Sequence, residues 1–60
     1  MISVLVVDDH PLFRAGLSDA INTQADLRVA ADFDTAEDAI DYITHHQVDV
    51  VLMDLRMSGM

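Results

Sequence analysis

At 60 residues the chain is long enough for one small domain at most, and 52% hydrophobic residues with two Gly and one Pro indicate a globular core rather than disorder. Eleven acidic residues, three Arg and no Lys give a formal charge of −8, which disfavours nucleic acids and anionic membranes as direct partners. The absence of Cys excludes disulfide bonds and thiolate metal sites, and the apolar runs are too short for a membrane span or a secretory signal. We therefore expect a cytoplasmic protein.

The first predicted strand covers residues 2–7, an apolar and largely β-branched run that is too short for a helix. It ends at the acidic pair Asp8 and Asp9. Pro11 then suits the first position of a helix, because its missing N–H is not needed there. We therefore predict a helix over residues 11–23.

This helix has one apolar face in the sequence pattern. The residues that recur at helical spacing on this face are Phe13, Gly16, Leu17, Ala20 and Ile21. Arg14 and Ser18 fall on the opposite side, which we expect to face solvent. A Gly inside a helix costs about 1 kcal/mol relative to Ala, so Gly16 on the apolar face predicts a close approach of the helix to the sheet.

A shorter strand is predicted over residues 27–33, where apolar and other residues alternate. Val29, Ala31 and Phe33 are expected to share one side of this strand. The alternation is typical of a strand near the edge of a sheet.

A second helix is predicted over residues 35–46. Asp34 and Glu37 have the spacing of a helix-start signature, in which the first residue accepts hydrogen bonds from backbone N–H groups. Residues 49–54 form the last strand, whose continuous apolar run predicts that it is covered on both faces. The order strand, helix, strand, helix, strand predicts an α/β fold with parallel strands.

Three carboxylates are predicted to meet at one rim of this sheet. Asp8 and Asp9 follow the first strand and Asp54 ends the last one, so they converge if strands 2–7 and 49–54 are neighbours. Clustered carboxylates repel unless a cation or protons intervene, and hard oxygen donors favour Mg²⁺ or Mn²⁺. With the amino end of a helix nearby to attract an anion, the arrangement suits phosphoryl transfer to a carboxylate.

Two segments of the chain resemble the receiver domain of bacterial two-component response regulators: DDHPLFR at residues 8–14 and DVVLMDLRM at residues 49–57. The first segment is most similar to the branch whose receivers precede a LuxR-type helix-turn-helix DNA-binding domain. The resemblance implies a flavodoxin-like (CheY-like) doubly wound parallel sheet, of which residues 1–60 are the amino-terminal half.

The resemblance also implies a role for individual residues. Asp54 would accept a phosphoryl group from a sensor histidine kinase or a small phosphodonor, and the modified receiver would regulate a transcriptional output in a following DNA-binding domain. Asp8 and Asp9 would hold Mg²⁺ or Mn²⁺ together with Asp54 and the backbone carbonyl of Arg56. Any enzymatic activity would be limited to self-phosphorylation and dephosphorylation at this aspartate.

The sequence departs from the family pattern in two ways. Ser58 stands where the family usually has Pro, at a position with no predicted ligand. The family's hydroxyl-bearing residue after strand four and its phosphate-binding Lys after strand five have no counterpart among the 60 residues, so we expect the isolated chain to be inactive. An exposed edge at strand 49–54 predicts homo-oligomers through that edge or by exchange of elements.

Two other functions remain open. One is a non-catalytic assembly domain that keeps the fold without the switch, and the other is a phosphatase with an aspartyl nucleophile. The phosphatase needs an acid two residues after the nucleophile, where this chain has Arg56. We interpret His10 as a helix-start residue, and His45 and His46 as favourable groups at a helix carboxyl end rather than a metal pair.

Overall fold

The computed structural model of the chain describes residues 1–54. Three strands and two helices alternate along it: β1 (Ile2–Val7), α1 (Pro11–Asn22), β2 (Leu27–Phe33), α2 (Ala36–His45) and β3 (Val50–Met53). The strands form one parallel sheet in the order β2-β1-β3. This arrangement confirms the predicted α/β architecture and the neighbouring positions of β1 and β3. Neither described helix has the length and apolar character of a membrane span.

The core is built around β1, the central strand. Its last four residues are at most 4% exposed, and side chains on a strand alternate between its two faces. Leu5 and Val7 therefore pack on the side of α2, whereas Val4 and Val6 pack on the side of α1. The buried residues that the helices contribute to these two clusters are Ala36, Ala39 and Ile21.

The predicted alternation of β2 is wrong, because the strand contains a bulge. Val4 lies opposite Val29 but Leu5 lies opposite Ala31, so Ala30 is an extra residue in the pairing. An extra residue changes the side of the sheet to which the following side chains point. Val29 accordingly packs on the α1 side and Ala31 on the α2 side.

The apolar face of α1 is only partly covered. Leu17 and Ile21 pack against β1 and β2, but Phe13 is 60% exposed. A Cβ at Gly16 would meet no atom within 4 Å, so the predicted close approach of helix and sheet at this residue is wrong. The physical reason is that α1 lies over β1 and β2 and makes no close backbone contact with β3 in residues 1–54.

The second helix begins one residue later than its acidic signature predicts. Thr35 is the N-cap, has an extended backbone, and accepts a hydrogen bond from the Asp38 N–H through its hydroxyl at 3.2 Å. The residues that form the helix start are therefore Thr35 and Asp38, and not the predicted Asp34 and Glu37. Ser and Thr compete well with Asp at this position because their hydroxyl oxygen reaches the same N–H groups.

The prediction that the last strand is covered on both faces is also wrong for the described residues. All four residues of β3 are between 39% and 42% exposed. β3 pairs with β1 along one edge only, and neither helix packs closely against it. Its apolar side chains and its second edge are therefore open to another protein segment.

Asp49 fixes the amino end of β3 to β1. Its carboxylate accepts hydrogen bonds from the N–H of Ser3 at 2.8 Å and from the Ser3 hydroxyl at 3.1 Å, and its own N–H donates to the Ser3 carbonyl. The hydrogen bond from the backbone of Ser3, followed by that from its hydroxyl, holds the pKa of Asp49 below its ordinary value of 3.8. The charge of the amino terminus lowers the pKa further. Together these effects outweigh burial, which by itself raises the pKa.

Acidification is expected to weaken this connection. A carboxylate whose pKa is depressed by folding stabilises the folded state above its ordinary pKa, and this contribution disappears as the pH falls through the lower folded value. The Asp49→Asn variant of the full-length protein should therefore lose less stability than the wild type between about pH 5 and about pH 3, in urea titrations at each pH. Equal losses in the two proteins would contradict this role of Asp49.

Candidate functional site

The carboxyl ends of β1 and β3 lie side by side. Val7 pairs with Met53, and the N–H of Asp54 donates to the carbonyl of Val7 at 3.1 Å. The residues that immediately follow these strand ends are therefore neighbours in space. Oxygen atoms of Asp8, Asp9 and Asp54, together with a ring nitrogen of His10, all lie within 4.8 Å of one another.

Asp8 is the most enclosed member of this cluster, with 4% of its surface exposed. Its N–H donates to the carbonyl of Phe33 at 3.0 Å, which fixes it to the end of β2. Burial by itself raises the pKa of Asp8, but the backbone and ring hydrogen bonds from His10 and the charges of His10 and Arg14 outweigh it, so the pKa lies below its ordinary value. Asp8 is therefore held as a carboxylate at neutral pH.

Arg14 supports the loop that carries the acids. Its Nη1 donates to the carbonyl oxygen of Asp8 at 3.0 Å, and its Nε lies 3.3 Å from Oδ1 of Asp32. The helical pattern placed Arg14 on the solvent side of α1, and its contact with the site was missed. The family segment DDHPLFR, which ends at this residue, was the signal that could have found it.

His10 is the N-cap of α1, which agrees with its interpretation as a helix-start residue, but its ring also lies inside the acid cluster. Nδ1 is 2.7 Å from Oδ1 of Asp8, 3.0 Å from Oδ1 of Asp9 and 3.5 Å from Oδ2 of Asp54. The hydrogen bond to Asp8, then the charge of Asp9 and those of Asp8 and Asp54, raise the pKa of His10 above its ordinary value of 6.5 against the opposing effect of burial. Periodicity carries no signal for this position, because the contact depends on the turn between Asp8 and the helix.

The other predicted residues fall elsewhere. Arg56, whose backbone carbonyl is a predicted ligand, lies outside the described residues. His45 and His46 place their Nδ1 atoms 2.9 Å and 3.0 Å from the carbonyl oxygens of Asp41 and Tyr42, one helical turn earlier. This geometry agrees with their interpretation as groups at the carboxyl end of α2.

The three carboxylates fit a divalent cation of the hard class. They come from two strand ends, they offer oxygen donors within reach of one another, and Asp8 is held ionised. Mg²⁺ characteristically binds one or two carboxylates and keeps several waters, which suits a rim that is open on one side. An apolar groove between the start of α1 and the end of β3 adjoins the cluster and is lined in part by Phe13, Leu17, Leu52 and Met53.

Residues 4–60 match the response regulator receiver domain family. The chain belongs to this family. The prediction made from the acidic pair and the strand-end aspartate is confirmed, and receivers in general bind Mg²⁺ through acidic residues such as those clustered here.

The receiver is similar to several curated response regulators. It is 42% identical over 59 residues to "Response regulator UvrY" of Escherichia coli (strain K12) and 41% identical over 59 residues to "Response regulator protein VraR" of Staphylococcus saprophyticus. It is also 41% identical over 59 residues to "Probable transcriptional regulatory protein NarL" of Mycobacterium tuberculosis (strain ATCC 25618 / H37Rv).

These alignments cover 98% of the receiver chain but 27% of UvrY and NarL and 28% of VraR. The chain thus spans about a quarter of the length of the curated relatives that it matches. No solved structure matches it at a significant level.

Proposed function

We propose that the chain is the phosphoryl-accepting part of a two-component response regulator, with Asp54 as the acceptor and Asp8 and Asp9 as ligands of Mg²⁺. The observation that carries the proposal is the meeting of these three carboxylates at one rim of a parallel sheet. In such sheets the crevice beyond the carboxyl ends of the strands is where ligands bind.

In this mechanism an Oδ atom of Asp54 attacks the phosphorus of the donor. An O–P bond forms to give an acyl phosphate, and the P–N bond of a phosphohistidine, or the P–O bond of a small donor such as acetyl phosphate, breaks. Bound Mg²⁺ supplies positive charge that offsets the negative charge on the phosphoryl oxygens. The pairing of Val7 with Met53 holds Asp54 beside the acidic pair, so the acceptor is fixed relative to the proposed metal ligands.

Asp8 and Asp9 differ in what surrounds them. Asp8 is buried, its backbone is anchored to Phe33 and Arg14, and its carboxylate accepts a hydrogen bond from the N–H of His10, so the carboxylate has little freedom. The side chain of Asp9 is 29% exposed and lies nearer the open rim. We assign Asp9 as a direct ligand and Asp8 as a ligand directly or through water. Asp54 and the backbone carbonyl of Arg56 are the further ligands.

The same proposal includes the partner kinase and the remaining domains of the regulator. We infer that the 60 residues are the amino-terminal half of the receiver, that a sensor histidine kinase supplies the phosphoryl group, and that a following LuxR-type domain carries DNA binding. The family match, together with a relative whose name is that of a transcriptional regulatory protein, supports this assignment. A cytoplasmic location follows from the same proposal.

The experiment that tests the function is phosphorylation of the full-length protein by acetyl phosphate. Intact mass after incubation with Mg²⁺ should show one added phosphoryl group, and chelation of Mg²⁺ should prevent its addition. The modification should be labile, as acyl phosphates are. A protein that binds Mg²⁺ yet never gains a phosphoryl group would favour the alternative, a non-catalytic assembly domain.

The open edge of β3 supports a second property, association of the 60-residue chain with copies of itself. Val50 to Met53 present apolar side chains and one unpaired strand edge in the described residues. Sedimentation of residues 1–60 should show oligomers that dissociate on dilution, through pairing of this edge or exchange of elements. Val51→Lys should shift the chain toward monomer, since a charged edge residue opposes strand pairing. A compact wild-type monomer at micromolar concentration would refute this property.

A further inference from the structure

We propose that the imidazole of His10 occupies the cation position of the acid cluster in the metal-free receiver and must turn outward before Mg²⁺ binds, so that it lowers the apparent affinity for Mg²⁺. The inference rests on the proposed function, because it takes Asp8, Asp9 and Asp54 as the carboxylates of the metal site. It adds a residue that sets how readily the site accepts its ion.

The position of the ring is the first step. One nitrogen, Nδ1, lies 2.7 Å, 3.0 Å and 3.5 Å from oxygen atoms of three separate carboxylates. An Mg²⁺ ion bound by these oxygens at about 2.1 Å uses the same lone pairs and the same space. Ring and ion therefore exclude each other at this rim.

The hydrogen bond between the ring and Asp8 indicates that Nδ1 takes the place of the ion rather than binding it. An ionised carboxylate only accepts hydrogen bonds, so the contact between Nδ1 and Oδ1 of Asp8 at 2.7 Å requires the proton on the ring nitrogen. A metal ligand needs a free lone pair on that nitrogen. In this orientation the nitrogen that faces the carboxylates is a donor and has no lone pair for a metal at that position.

The ring is free to leave without loss of the helix start. The His10 side chain is 64% exposed, and as N-cap it makes no side-chain capping hydrogen bond. The backbone of His10 is held independently, by its N–H to Oδ1 of Asp8 at 2.8 Å and by the N–H of Arg14 to its carbonyl at 2.9 Å. Rotation about the side-chain bonds can thus move the imidazole to solvent while α1 stays in place.

The experiment is a calorimetric titration of the full-length protein with Mg²⁺. His10→Ala should bind Mg²⁺ more tightly than the wild type, and about fivefold if the inward ring holds the site about four-fifths of the time. His10→Asn should behave in the same way, because Asn is a favourable N-cap and rules out an effect of the helix start. The matched control is His45→Ala, which removes the same side chain from the last turn of α2 and should leave the affinity unchanged.

The outcomes separate this inference from the proposed function. Loss of Mg²⁺ binding in Asp9→Asn together with tighter binding in both His10 variants supports both the inference and the proposed metal site. Loss in Asp9→Asn with unchanged binding in the His10 variants overturns the inference and leaves the metal site standing. Weaker binding in the His10 variants makes His10 a ligand and also overturns it. Unchanged binding in Asp9→Asn overturns the proposed metal site itself.

Discussion

Replacement of Asp54 by asparagine is expected to abolish phosphorylation of the full-length protein by acetyl phosphate and Mg²⁺. An amide has no ionised oxygen to attack phosphorus, and its shape otherwise matches that of the carboxylate. Because Asp54 is bound to β1 through its backbone N–H, the change should leave the sheet intact. Intact mass spectrometry measures the missing phosphoryl group, and urea unfolding measures the unchanged fold.

The same strand supplies the matched control. Asp49 precedes β3 as Asp54 follows it, and Asp49→Asn makes the identical chemical change at the opposite end. This variant should be phosphorylated to the wild-type level but unfold at a lower urea concentration, since the carboxylate that accepts two hydrogen bonds from Ser3 is replaced by a weaker acceptor. Phosphorylation that persists in Asp54→Asn would place the acceptor at another residue. A loss in both variants would indicate a damaged sheet.

Leu5→Ala is expected to cost about 2–5 kcal/mol of unfolding free energy, the usual range for truncation of a fully buried leucine. Leu5 is 0% exposed in the central strand and packs against Ala36 and Ala39 of α2. Its removal leaves a cavity between sheet and helix, where small alanine side chains cannot fill the space. A loss of this size is a large fraction of the stability of a small domain.

Leu12→Ala is the control for this prediction. Leu12 lies in the first turn of α1 and is 91% exposed, so its truncation should change the unfolding free energy by no more than about 0.5 kcal/mol. Denaturant titrations of both variants in the full-length protein make the comparison. Similar costs for the two leucines would contradict the placement of β1 at the centre of the core.

The elements of the fold could be predicted because each has a local signature. Short apolar runs identified β1 and β3, and Pro11 marked the start of α1. Local signatures were insufficient where two strands interact. The bulge at Ala30 puts Val29 and Ala31 on opposite faces, and it arises from the pairing of β2 with β1 rather than from the alternation within β2.

The residues of the candidate site also divide into those that the sequence predicts and those that only the folded structure identifies. Asp8, Asp9 and Asp54 could be identified because each stands at the end of an apolar strand, and parallel strands end at one rim. The contacts of His10 and Arg14 with that rim could not be identified from periodicity. Both depend on how the turn after β1 directs the start of α1, which is a property of the folded chain.

The sequence by itself determined the order of strands and helices, the family, and the three acids that meet at the sheet rim. These features depend on residue type and on spacing along the chain, and both can be read directly from the sequence. Only the tertiary structure decided which faces are covered, since burial of Phe13, Gly16 and β3 depends on what lies beside them in space. It also decided that an imidazole lies among the carboxylates, because distances of 2.7 to 3.5 Å result from the packing of a helix against a strand end.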